Sequence, residues 1–237
     1  MFTVMTNDLK TAINNLYATF AVYRHEPTME GCPCCVSDTD KEKIHSKQLK
    51  ELDGTDLSRY AFKAMTTWGN TEDFKHFLPR IYELLVSEEL KIDSSAILGK
   101  LNYGKWQSWP DEEKNAIKQF LLAWWAGMTK HTPFFDKETI TEIYNLTGDI
   151  DELLYYWVIC LDDYSFANYI DLIYCYYSDL TGKRKAFKRM DDTAAAKMVQ
   201  WIQNNSGILE QGFFRFADSD IEFAEKISTA QFIIERG

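Results

Sequence analysis

Apolar residues recur every three or four positions over most of the chain. Leu9, Ile13, Leu16, Phe20 and Tyr23 fall on one side of a 3.6-residue repeat, which predicts an amphipathic helix over 7–23. Leu57, Tyr60, Ala61, Ala64 and Trp68 predict a second, with Asp56 as its N-cap and Gly69 as the glycine that ends it. Thr71, Glu72 and Asp73 open a third. Pro79 lies inside that pattern and lacks an amide donor, so it predicts a kink, or a short helix followed by another that begins at Pro79. Ser108, Pro110 and the acids at 111–113 start a helix that runs through FLLAWWAGM. Asp136 caps TITEIYNL and Gly148 stops it, and the segments 150–162, 165–178, 191–204, 207–216 and 218–235 predict five more helices.

Few runs alternate with period two and no βαβ alternation exists, so the expected fold class is all-α. The segments GNTEDFKHFLPRIYELL and TGDIDELLYYWVICL share a glycine, an acidic first turn and an apolar run; ADSDIEFAEKISTAQFIIE shares the acidic turn. Paired antiparallel helices of roughly forty residues per hairpin suit a HEAT-like solenoid, and the same pattern suits an irregular helical bundle. No stretch rich in Pro, Gly or Ser divides the chain. The expected organisation is one α-helical domain over 1–237, with a Cys/His-rich loop at 24–46.

Composition narrows the function classes. Aromatic residues make up 15% of the 237 positions, enough to place the chain among globular proteins. The formal charge of −10 argues against nucleic acid, whose phosphates select a basic face, and suits a basic protein partner. No run of eighteen apolar residues predicts a membrane span, and MFTVMTNDLK lacks the basic start and apolar core of a signal peptide, so a cytoplasmic location is expected. Five cysteines, three of them clustered, then point to reduced thiols or a metal rather than a disulfide framework.

The cluster lies in HEPTMEGCPCCVSDTDKEKIH, residues 25–45. Cys32 and Cys35 form a C-x-x-C knuckle that can present two thiolates to one zinc ion. His25 and His45 flank it with enough chain to fold back and complete a closed, structural four-ligand site. Cys34 is the third candidate for these two places, and ranks last because adjacent cysteines seldom both serve one metal. The competing chemistry is a thiol redox enzyme or sensor using the Cys32/Cys35 pair; it expects a strand before the motif and a βαβ setting, whereas a helix and a polar loop precede it here. A third reading is a surface loop of reduced thiols.

GCPCC, followed by IHSKQLKEL, DLSRYAFKAMTTWG and DFKHFLPR, resembles a group of uncharacterised bacterial proteins with this order of motifs. The resemblance covers residues 24–86. It implies a bacterial cytoplasmic protein and brings no activity, cofactor or catalytic residue.

No phosphate-binding loop, dinucleotide fingerprint, H-E-x-x-H or G-x-S-x-G occurs, so the expected function is not catalytic. His76 reads as a satisfied boundary histidine, His131 as a loop residue, and Cys160 and Cys175 as small core residues of apolar helices. GKRKAFKR (182–189) holds five basic residues and reads as a solvated loop or a docking loop for an acidic partner. From Glu138 to Leu180 the opposite holds, with nine acids, eight tyrosines and no Lys or Arg. Such a stretch suits a face for a basic protein, with Asp151, Glu152, Asp162 and Asp163 supplying charge and Tyr155, Tyr156, Tyr164 and Tyr169 supplying anchors. The combined expectation is an interaction protein with a structural zinc knuckle, in its sharpest form an inhibitor or immunity protein that neutralises a basic toxin or nuclease.

Overall fold

The helical period is realised as twelve α-helices in the computed structural model, which describes residues 4–24, 29–182 and 186–236. The described residues contain no β-strand, only two isolated bridges in the turn around Trp68. The chain folds as two compact units, Met1–Gly127 and Met128–Gly237. Their boundary falls inside a helix, which is why no linker composition marks it.

The first unit holds α1 (Asn7–Thr19), α2 (Asp38–His45), α3 (Gly54–Lys63), α4 (Thr71–Val86), α5 (Ser94–Tyr103) and the first part of α6 (Asp111–His131). α1 packs on α4, and both faces are buried: Leu9, Ile13, Leu16 and Phe20 from the α1 segment, Phe74, Phe77, Leu78 and Ile81 from α4. α4 runs unbroken through Pro79. The proline removes one amide donor, but apolar side chains are buried on both sides of it, and packing holds the helix together where propensity would divide it.

Three local expectations are corrected. The N-cap of α3 is Asp53, not Asp56. Its carboxylate accepts from the amides of Thr55 and Asp56 while Asp56 accepts from the Asp53 amide, a reciprocal box that places Asp56 at the third helical position. α3 then ends at Lys63, short of Gly69, because Met65 takes a left-handed φ of 62° and its amide bonds the Trp68 carbonyl. Gly69, at φ 68°, leads into α4 instead. Finally, the Cys/His segment is not all loop: Ser37 and Asp40 form a capping box that starts α2 within it.

The second unit holds α7 (Lys137–Thr147), α8 (Ile150–Tyr156), α9 (Tyr164–Thr181), α10 (Asp192–Asn204), α11 (Ile208–Phe216) and α12 (Ile221–Arg236). α9 packs against α10 and α12, and α11 against α12. Phe166, Tyr169, Ile170, Ile173 and Tyr177 bury its inner face. The return of α12 to α9 skips two helices, a closure that successive hairpins of a solenoid do not need. Gly212 brings the backbone of α11 against Phe166 of α9. A Cβ there would sit 2.1 Å from the Phe166 ring, so only a bare backbone passes that close.

Buried tyrosines make the fold sensitive to alkali. Burial, followed by the bond to Asp191, pushes the Tyr144 hydroxyl up to about 12, and burial raises Tyr82 and Tyr169 further. The folded state therefore keeps protons that the unfolded chain releases near pH 10. Stability is unaffected below that point and falls as pH rises through it. Absorbance at 295 nm should show these tyrosines ionising in one step together with loss of helical circular dichroism; gradual ionisation without unfolding would contradict the assignment.

Candidate metal centre and interaction face

The Cys32–Cys35 turn is anchored from both sides. The Cys32 amide bonds the Thr67 carbonyl at 2.8 Å and the Gly69 amide bonds the Glu30 carbonyl at 2.7 Å, tying the knuckle to the turn between α3 and α4. The amides of Cys35 and Val36 both return to the Cys32 carbonyl at 2.9 Å. Arg59 of α3 donates to the Cys35 carbonyl at 3.0 Å and pairs with Asp40 of α2 at 2.9 Å.

This turn brings three thiols together, those of Cys32, Cys34 and Cys35, with all Sγ atoms within 4.8 Å of one another. Cys32 and Cys34 are 2.8 Å apart and Cys34 and Cys35 3.6 Å. Cys34, ranked last on adjacency, belongs to the group. An extended chain sends neighbouring side chains to opposite faces, but residues 33–35 are curled into a turn and present theirs on one side. Cys34 is exposed, and Cys32 and Cys35 are partly so.

Cys32 and Cys34 shift in opposite directions. The Cys34 thiol bonded to Cys32, then the backbone at Cys34, hold the Cys32 thiol below its ordinary value. The same bond to Cys32, then one to Cys35, push Cys34 up to about 11. The Cys32 thiolate is thus favoured and that of Cys34 opposed. A soft divalent cation reverses that balance, because it deprotonates its thiol ligands and neutralises the resulting charge. Tetrahedral zinc with Zn–S near 2.3 Å needs sulfurs about 3.8 Å apart. Cys34 and Cys35 are nearly at that spacing, and Cys32 must open by about 1 Å from Cys34.

The two histidines fare differently from the cysteines. His25 lies outside the described residues. His45, at the end of α2, is not part of the thiol group; burial lowers its pKa, partly opposed by Asp73, with His76 adding to the fall. His76 is a boundary residue as expected, its Nδ1 2.9 Å from the Tyr23 carbonyl. His131 is the last residue of α6 rather than a loop residue, and Cys175 is exposed on α9 rather than buried.

In the second unit several acids of the 138–180 stretch find cations outside it. Glu138 pairs with Lys137, Glu142 with Arg189, Asp151 with Lys197, Asp162 with Arg215 at 2.9 Å, and Asp171 with Lys226 at 2.5 Å. Asp163 caps α9 and accepts from the Ser165 amide at 2.8 Å, and Glu152 is half-buried in the first turn of α8. The stretch is therefore less unbalanced in space than in sequence. Tyr155 is 78% exposed, and its ring meets that of Tyr156 edge to face at 5.5 Å. Tyr164 is exposed as well. Tyr169 is corrected to a core residue: fully buried, it donates to the Ile202 carbonyl at 2.6 Å. Asp162, Asp163 and Tyr164 line one cavity of about 520 Å³. Of the basic cluster at 182–189, residues 183–185 lie outside the described residues.

Sequence reasoning missed a buried charge network in the first unit. Lys75 of α4 meets Glu113 of α6 at 2.6 Å, with both side chains less than a tenth exposed. Tyr23 donates to Glu113, and Lys75 donates to Tyr23 at 3.0 Å. The acid at the start of α6 was legible as a helix-start signal, but its partner, 38 residues away in sequence, was not.

Among the described residues no helix is long and apolar enough to cross a membrane. Comparison of the chain with protein-family models, with curated proteins and with solved structures found no match, so the readings below stand on its own residues.

Proposed function

We propose that this chain is a non-enzymatic interaction protein whose first unit is stapled by a structural zinc ion at Cys32, Cys34 and Cys35, with His25 the sequence's candidate for the fourth ligand, and whose second unit offers an acidic, tyrosine-bearing face to a basic protein. An inhibitor or immunity protein acting on a basic toxin or nuclease is the sharper form of this reading. The observation that carries the metal assignment is the approach of three thiols within 4.8 Å in a turn tied to α2, α3 and the lead-in to α4. Protein purified without chelator should contain about one zinc per chain by elemental analysis. Metal-free protein that fails to take up zinc under reducing conditions would defeat the assignment.

The interaction face is supported by exposed Tyr155, Tyr156 and Tyr164 beside the surface acids Asp151 and Asp162. Its test is Asp151→Lys, Glu152→Lys and Asp162→Lys, with Asp163→Asn because Asp163 caps α9 and asparagine keeps that role. Association with the partner recovered from native cells should slow with added salt and weaken in these variants. Unchanged, salt-insensitive binding would remove this face from consideration.

A second reading is favoured by one distance. The Cys32 and Cys34 sulfurs, 2.8 Å apart, suit thiol–disulfide exchange as well as metal binding. Exchange predicts turnover of a disulfide substrate above free thiol background that is lost in Cys32→Ser; the structural reading predicts background rates throughout.

A further inference from the structure

We infer that the cavity at the start of α9 is a receptor for an arginine side chain of the basic partner. The inference deepens the proposed interaction face and rests on it.

The cavity, about 520 Å³, is walled by Tyr164, Phe166, Phe216 and Phe223 and rimmed by Asp162, Asp163 and Asp220; among the described residues no Lys, Arg or His lines it. The phenylalanines form a fixed cluster. Phe166 and Phe216 lie parallel with centroids 6.3 Å apart, and Phe223 meets Phe216 edge to face at 4.9 Å and Phe166 at 6.0 Å. Phe166 itself is held against Gly212, so the back wall does not collapse into the space.

The three carboxylates are not spent within the fold. Asp163 bonds the Ser165 amide and hydroxyl through Oδ1, Asp220 bonds the Phe223 amide through Oδ1, and Asp162 bonds Arg215 through Oδ1. Among the described residues no hydrogen bond or ion pair engages the Oδ2 atom of any of the three. An apolar side chain entering here would strip water from these oxygens and return nothing, and an anion would be repelled. A group with flat faces for the rings and several donors for the carboxylates satisfies both features. Guanidinium has that form, whereas an ammonium is a strongly hydrated point charge.

Arg215 supplies an internal precedent. Its guanidinium already rests on the rim at Asp162, 2.9 Å away, with both side chains well exposed. A pair so open to water is weak and can be exchanged for an incoming arginine. Arg215 is thus a competitor at the mouth of the cavity rather than part of its wall.

The test titrates the full chain, followed by NMR, with a capped peptide Gly-Ser-Gly-Arg-Gly-Ser-Gly and with the same peptide carrying citrulline, which keeps the shape and loses the charge. The arginine peptide should bind in roughly the millimolar range, shift the signals of Phe216 and Phe223, and bind at least about tenfold more tightly than the citrulline peptide. Asp162→Asn should weaken it severalfold. Phe223→Leu, which keeps apolar volume without the ring, should do the same. Arg215→Gln should tighten it by about two- to fivefold by removing the competitor. Equal binding of the two peptides, no shift at all, or no gain in Arg215→Gln would overturn the inference. Failure of the peptide test, with native-partner binding still salt-sensitive and weakened by Asp151→Lys, overturns the cavity alone, because Asp151 does not line it. Success of the peptide test with a salt-insensitive partner overturns the wider reading alone.

Discussion

Truncating Glu113 to alanine should destabilise the protein by about 3–5 kcal/mol. The loss is large because the carboxylate is the counter-charge of a buried ammonium rather than one of many surface acids. Lys75 is held in place by Glu113 at 2.6 Å, by the Tyr23 hydroxyl at 3.0 Å, and by the rings of Tyr23 and Trp109, whose centroids lie 4.8 Å and 4.3 Å from its Nζ. Burial by itself would pull the lysine pKa down. The bonds to Glu113 and Tyr23 outweigh burial and leave it above the ordinary value, so Lys75 is a cation in the folded protein. Glu113→Ala strands that cation where water does not reach and leaves the Tyr23 hydroxyl without its acceptor. The double variant Lys75→Met with Glu113→Leu removes both charges while keeping volume, and should lose much less than Glu113→Ala alone. Urea unfolding of the three proteins measures this. A loss below about 1 kcal/mol in Glu113→Ala would place the pair in the class of solvent-screened surface bridges and contradict the burial.

The network also shows where sequence reading stops. Helix starts that depend on nearby residues were legible: Asp136 caps α7, Gly148 at φ 70° ends it, and Asp191 caps α10. So was α2, whose Ser37–Asp40 box is a local signal. α5 was equally legible, with Asp93 as its cap and Ile97, Leu98 and Leu101 as its buried side, and was passed over. What could not be read is set by residues far apart in sequence. The end of α3 depends on the left-handed Met65 and on Lys100, whose ammonium bonds the Ala64 carbonyl at 3.0 Å. The eight tyrosines between Glu138 and Leu180 all fit a helical pattern, yet only packing against α10 turns Tyr169 inward and leaves Tyr155 in water. The acidity of that stretch overstated its field, because Arg189, Lys197, Arg215 and Lys226 arrive from later helices. Of the candidate site, the cysteine motif announced itself, while the membership of Cys34 followed from a turn closed by the Cys32 carbonyl.

Serine at position 34 should cost the protein its metal and as much stability as serine at position 32 or 35. The sequence alone ranks Cys34 below His25 and His45; the geometry puts Cys34 within 2.8 Å of one thiol and 3.6 Å of the other. A ligand that binds only the folded chain adds RT ln(1 + [L]/Kd), about 4 kcal/mol when zinc is a thousandfold above its dissociation constant. On the proposed assignment that energy would act on the Cys32–Cys35 turn and, through Arg59, on α2 and α3. Each of the three cysteine variants should therefore unfold at a lower temperature than the wild type in zinc, and a strong chelator should bring the wild type down to meet them without moving the variants further. His45→Ala should retain its zinc, because its imidazole is not part of the thiol group. Acid should act like the chelator, since protons compete for each thiolate and metal affinity falls as pH is lowered. Zinc released on acidification can be followed with a colorimetric indicator alongside circular dichroism, and release should precede or accompany unfolding. Full metal content in Cys34→Ser would return that residue to the role of a bystander, and loss of metal in His45→Ala would mean that the knuckle rearranges to reach α2.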